Sequence, residues 1–188
     1  MQLELTLPLP PSVNKYLGYK VVWIGNRYIP QPYKTKTAKE YESYVRKLVT
    51  RELIRQGWSC EDKKDYIEVE LTYYLNKKRK DSHNLEKVLF DSLMSAGVYP
   101  DDDILLPHTK NIYIDKENPR VEVLLKKSRK KGIFYDDFHL KEFKSLNCDK
   151  CKKSTYKKSC GVLNRALENK IDLKEINLKE NNCYKKIG

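Results

Sequence analysis

No stretch of the 188-residue chain approaches the ~20 consecutive apolar residues that a membrane-spanning helix needs. The opening residues, MQLELTLPLPP, have neither a basic lead nor a long apolar run, and so lack the form of a secretory signal. Cysteine is scarce and unevenly spread: there are five, four of them near the C-terminal end, which argues against the even disulfide framework of a small secreted domain. A soluble cytoplasmic protein with no membrane partner, its thiols reduced or bound to metal, is expected. Acidic residues are also in deficit, with 26 Asp and Glu against 38 Lys and Arg and a net charge of +12. Such a surface attracts polyanions, nucleic acid foremost.

Apolar periodicity organises the first two thirds. Leu3, Leu5 and Leu7 alternate with Glu4 and Thr6, the period of a strand with one buried face. Val21 to Ile24 and Arg27 to Ile29 flank Gly25-Asn26, which suits a hairpin or a mobile flap. Between Thr37 and Gln56 the positions Tyr41, Tyr44, Val45, Leu48, Val49 and Leu53 recur at helical spacing, and Gly57 offers a stop. Ile67, Val69, Leu71, Tyr73 and Leu75 predict a second strand. A second helix is predicted over Asn84 to Ala96, with Asp81 or Ser82 as its cap and Gly97 as its end. Further strands are predicted at Asn111 to Ile114 and Val121 to Leu125. The order implies an α+β domain with helices packed on one face of a mixed sheet.

Beyond Ser128 this periodicity breaks. Residues 129–188 hold sixteen Lys or Arg against eight Asp or Glu, so they carry +8 of the net charge. The expected division is a domain over 1–128 and a basic, cysteine-bearing extension over 129–188, with a short helix around Asn164 to Leu173.

The segment Lys77 to Asp103 carries the chemistry. A basic run, Lys77-Lys78-Arg79-Lys80, precedes Asp81 and His83; Asn84, Lys87 and Asp91 fall on one helix face; Asp101, Asp102 and Asp103 follow the helix. Carboxylates beside lysines are what metal-assisted phosphodiester cleavage requires, since oxygen ligands hold Mg²⁺ or Mn²⁺ while cations hold phosphates. By spacing alone the same residues also suit a helix cap, a solvated i, i+4 pair and a turn.

Two motifs resemble the RusA-like Holliday-junction resolvase family. One is Pro8-Leu9-Pro10-Pro11-Ser12-Val13-Asn14; the other is Lys80-Asp81-Ser82-His83-Asn84 with Lys87, Phe90-Asp91, Ala96-Gly97 and Asp101-Asp102. The resemblance covers Leu3 to Leu125 and none of the extension. It implies a RusA-like α+β fold and a Mg²⁺- or Mn²⁺-dependent endodeoxyribonuclease, common among phages and prophages, that acts as a homodimer in DNA recombination and repair. Paired symmetric incisions in branched DNA are the implied reaction. Matched to the family, Asp81 and Asp102 are metal ligands, Lys87 is the catalytic lysine, and Asp91 is an acidic helix position with a weaker claim. His83 stands where the family has its second Asp, so it is a candidate ligand that supplies less charge; Asp101 and Asp103 flank the site and could compensate. Lys77, Lys78, Arg79, Lys80 and Asn84 are candidate DNA contacts, and a nucleoid-associated location follows from DNA binding.

Cys148 and Cys151 form a CxxC pair, followed by Cys160 after eight intervening residues and Cys183 after twenty-two more. Four thiolates suit a tetrahedral Zn²⁺; thiols in a loose tail are the other reading. Two rivals to the nuclease stay open: a junction-binding protein whose metal site has decayed at His83, and a zinc-stabilised nucleic-acid adaptor.

Overall fold

A computed structural model of the chain describes residues 1–60, 66–78, 81–153 and 160–187. Strand β1 (Gln2–Pro8) keeps the predicted alternation, burying Leu3, Leu5 and Leu7. It pairs antiparallel with β6 (Arg120–Lys127) in the register Leu3 to Leu125, Leu5 to Val123 and Leu7 to Val121. Three apolar cross-strand pairs therefore share one face. Strand β4 (Ile67–Leu75) adds Ile67, Val69, Leu71, Tyr73 and Leu75, all buried, and runs parallel to β5 (Leu105–Ile114). The strand order is β1-β6-β4-β5, a mixed sheet. Parallel neighbours need a crossover, and α3 (His83–Ser95) supplies it between β4 and β5.

Helix α2 (Lys36–Gln56) starts at Thr35, whose hydroxyl accepts from the Ala38 N–H at 3.3 Å, and stops at Gly57 in the left-handed region, φ 63°. Its buried stripe of Ala38, Tyr41, Val45 and Val49 joins the α3 stripe of Leu85, Val88, Leu89 and Leu93 and the strand residues in one core. Each Val or Leu among them contributes about 1.5–3 kcal/mol on full burial. Trp58 fastens the end of α2 by donating its indole N–H to the Val98 carbonyl at 2.8 Å. The α+β fold is the one expected. Two short elements are added to it: α1 (Val13–Tyr16), and a 3₁₀ turn at Asp102–Ile104.

Strands β2 (Leu17–Ile24) and β3 (Arg27–Lys34) form a separate ribbon whose turn residues Gly25 and Asn26 both have positive φ, 49° and 65°. That conformation matches the twist of a two-residue hairpin.

The chain divides into two compact units, Met1–Glu61 with Ile67–Lys126, and Asp62–Tyr66 with Lys127–Gly188. The second contains α4 (Asp137–Asn147), a helix that its sparse apolar residues did not announce. Asp136 caps it by accepting the His139 N–H at 3.0 Å, and Leu140, Phe143 and Asn147 form its buried stripe. Helix α5 (Gly161–Leu167) begins earlier and ends sooner than the predicted Asn164 to Leu173. Asn169, at φ 57°, stops it. Short strands β7 (Ile176–Asn177) and β8 (Asn182–Cys183) pair antiparallel. Among the described residues no helix is long and apolar enough to cross a membrane.

Candidate active site

The start of α3 is shaped by Asp81. Its Oδ1 accepts the His83 backbone N–H at 3.0 Å and its Oδ2 accepts the Asn84 amide at 2.9 Å. Ser82, at the cap position, is buried and makes no side-chain cap bond, so Asp81 takes that role from one residue back. Its exposed carboxylate stays at the positive end of the helix. Asp81, His83 and Asn84 are thereby knit into one turn. Lys77 and Lys78, in the turn after β4, are exposed; Arg79 and Lys80 lie outside the described residues.

One turn along α3 stands a residue that pattern reading missed. Glu86 places Oε1 3.2 Å from His83 Nδ1, and the same oxygen accepts from the Thr109 hydroxyl of β5 at 3.3 Å. Its side chain is 20% exposed, whereas that of His83 is 79% exposed. Among the described residues the buried Tyr73 hydroxyl has no hydrogen-bond partner, and burial first, then the Glu86 charge, pushes that phenol up. The i, i+3 spacing from His83 was the available signal.

Lys87 and Asp91 form an i, i+4 pair at 3.6 Å, the lysine well exposed and Asp91 mostly covered. After α3 the chain turns at Gly97, φ 82°, and passes through buried Tyr99, whose hydroxyl donates to the Phe90 carbonyl at 2.9 Å. Burial raises the Tyr99 phenol well above its ordinary value, and the charges of Asp102 and Asp91 add to this. Both carboxylates therefore act on one ring, which joins the helix to the aspartates beyond it. The carboxylate oxygens of Asp101, Asp102 and Asp103 lie within 4.8 Å of one another. Asp101 orders that turn by accepting the Asp103 N–H at 3.3 Å. Asp81 and His83 do not share this 4.8 Å grouping.

The N-terminal motif reaches the same region. Pro10 is buried, α1 packs on α3, and Tyr16 ends α1 buried with its hydroxyl donated to Glu42 at 2.8 Å. Burial, then Glu42 and Asp91, push the Tyr16 phenol up to about 12, against the lowering effect of Lys34.

Exposed, closely spaced carboxylates with no thiol among them fit a hard divalent cation. A groove of about 780 Å³ elsewhere on the first unit is a poorer candidate. Two of its carboxylates are already paired with cations, Glu70 with Lys126 at 3.1 Å and Lys110 at 3.4 Å, and Glu52 with Arg55 at 2.6 Å. His108 is exposed away from any such grouping, and His139 pairs with the capping Asp136 at 2.7 Å.

The family model for endodeoxyribonuclease RusA matches residues 8–126. No curated protein matches the chain.

Proposed function

From the premise that the chain belongs to the RusA endodeoxyribonuclease family, we propose that it is a divalent-metal-dependent nuclease that resolves four-way DNA junctions as a homodimer. The observation that carries this is the turn after α3 in which Asp101, Asp102 and Asp103 bring carboxylate oxygens within 4.8 Å of one another. It supports an acidic centre in the segment that follows α3. A twofold dimer suits the substrate, because paired cuts in strands of like polarity need two symmetric centres. A role in phage or prophage recombination is part of this reading.

In it, Asp81 and Asp102 hold Mg²⁺ or Mn²⁺, with His83, Asp101 and Asp103 completing the donor set. The bound ion supplies Lewis acidity and lowers the pKa of an attacking water. Lys87, whose ammonium is exposed at one flank of α3, stabilises charge growing on the scissile phosphate. Asp91 holds that ammonium in place. Lys77 and Lys78, with Arg79, Lys80 and Asn84, bind flanking phosphates, an electrostatic contact that sets affinity more than cleavage position.

A second reading is a junction binder without cleavage. It is favoured by one observation: both Asp81 oxygens are occupied by His83 and Asn84 rather than turned into the Asp101 to Asp103 grouping. Incubating the protein with a mobile four-way junction separates the two. Symmetric nicks with Mg²⁺ or Mn²⁺ that vanish in EDTA establish the nuclease; a gel shift without nicks under all three conditions establishes the binder.

A further inference from the structure

The second unit is short of core. Its buried apolar side chains are Phe134, Leu140, Phe143, Val162, Ala166 and Ile176, with a few partly buried neighbours. So small a cluster offers little to offset the ordering of some sixty residues, and units of this kind are ordinarily stapled by disulfides or a metal. All five cysteines of the chain are reduced.

Three of those cysteines are tied together by backbone and side-chain contacts, and the fourth packs on the same apolar cluster. Cys148 and Cys151 share a tight turn in which the Cys151 N–H donates to the Cys148 carbonyl at 3.1 Å. Next to them, the buried Asn147 amide donates to the Asn181 carbonyl at 2.9 Å and accepts the Cys183 N–H at 3.1 Å. That clamps Cys183 beside Cys148 across more than thirty residues of sequence. The segment continues along the CxxC turn: Lys152 N–H donates to the Ile187 carbonyl at 3.1 Å, and Ile187 N–H donates to Cys151 Sγ at 3.5 Å. An N–H aimed at sulfur stabilises a thiolate, as second-layer donors of metal sites do. Cys160, at the start of α5, packs against the same apolar cluster as Cys183.

We propose that Cys148, Cys151, Cys160 and Cys183 hold one structural Zn²⁺ that staples the second unit. Binding converts four thiols to four thiolates and releases four protons to solvent, leaving a Zn(S-Cys)₄ centre of charge −2. The sulfurs must still draw in: among the described residues only Asp101, Asp102 and Asp103 already have three donors within 4.8 Å, and a tetrahedral zinc sets sulfurs about 3.8 Å apart. Soft thiolates select zinc over the hard cations that suit the aspartates. With four protein ligands the centre has no open position, so its role is architectural.

The test uses the full reduced chain purified from zinc-supplemented culture, without chelator. Elemental analysis should find about one zinc per chain, and mercurial titration should release it as the four thiols react. Zinc content should fall below roughly a tenth per chain in Cys160→Ser and in Cys183→Ser, yet persist in Cys60→Ala and in Asp102→Asn, which removes a carboxylate from the first unit. Chelating the zinc from the wild-type chain should speed proteolysis within residues 148–183 several-fold. Wild-type protein without zinc, zinc retained in both serine variants, zinc lost in Asp102→Asn alone, or a mapped disulfide between any two of the four would each overturn the proposal. The wild-type measurements decide the matter even if a variant fails to fold.

Discussion

His83 and Glu86 face each other across one turn of α3, Nδ1 to Oε1 at 3.2 Å, with Thr109 of β5 anchoring the same carboxylate oxygen. A histidine that gives its Nδ1 proton to a fixed carboxylate is left with Nε2 as an acceptor, the orientation that second-layer carboxylates impose on metal-binding imidazoles. In the proposed metal site, Glu86 would bring to the helix start the negative charge that His83 lacks.

The first prediction follows from that pair. A neutral imidazole donor favours Mn²⁺ over Mg²⁺ relative to a carboxylate. His83→Asp should therefore lower the ratio of Mn²⁺- to Mg²⁺-supported junction cleavage by about tenfold, while Glu86→Ala should weaken Mn²⁺ binding, read by calorimetry, by about 10- to 100-fold. An unchanged ratio together with unchanged Mn²⁺ affinity would remove His83 from the donor set.

Asp81 and Asp102 are separated by the test of charge without shape. Asp81→Asn retains an oxygen for the His83 N–H, so the loss of helix stability should stay below about 1 kcal/mol. Both Asp81→Asn and Asp102→Asn should abolish cleavage while holding a four-way junction within about twofold of wild-type affinity, because phosphate contacts remain. Wild-type cutting rates in either variant would refute the assignment.

Much of the first unit was legible because its signals are local. Leu3, Leu5 and Leu7, or Ile67 through Leu75, declare a half-buried strand by alternation alone, and α2 carries its own cap and stop in Thr35 and Gly57. Strand β5 was seen only at its end, since as an edge strand it is mostly exposed and carries no clear alternation. Helix α4 escaped notice because only Leu140 and Phe143 mark its apolar face, the third buried position being Asn147. In the site, the adjacency of Asp101, Asp102 and Asp103 was evident from the sequence. The hydrogen bonds of Glu86 to Thr109 and of Tyr16 to Glu42 were not, because both depend on packing between elements distant along the chain.

Lys87 tests the phosphate chemistry without much structural cost. Its pair with Asp91 is exposed on the lysine side, and a surface ion pair contributes about 0–1 kcal/mol, so Lys87→Ala should melt close to wild type. Single-turnover cleavage should slow by about 10²- to 10³-fold, the usual contribution of one donor to a developing anion. Lys87→Arg, which keeps the charge, should recover part of that loss. If Lys87→Ala instead weakens binding and cuts at the normal single-turnover rate, the lysine is a phosphate contact only.

The basic run offers a measurement that depends on charge count rather than geometry. Lys77 and Lys78 are exposed in the turn that leads from β4 toward Asp81, so neither is held by the core. Each phosphate neutralised by a protein cation displaces counterions, and the logarithm of affinity falls with the logarithm of salt by about 0.9 per phosphate on duplex arms. Replacing both lysines by Gln should flatten that slope by roughly one to two units, and it should do so equally for junction and linear duplex. The cleavage pattern on a junction should stay the same, since contacts to phosphate carry affinity and not sequence. An unchanged slope would mean that this turn faces away from the DNA, and the phosphate-binding surface would then have to be sought elsewhere on the +12 chain.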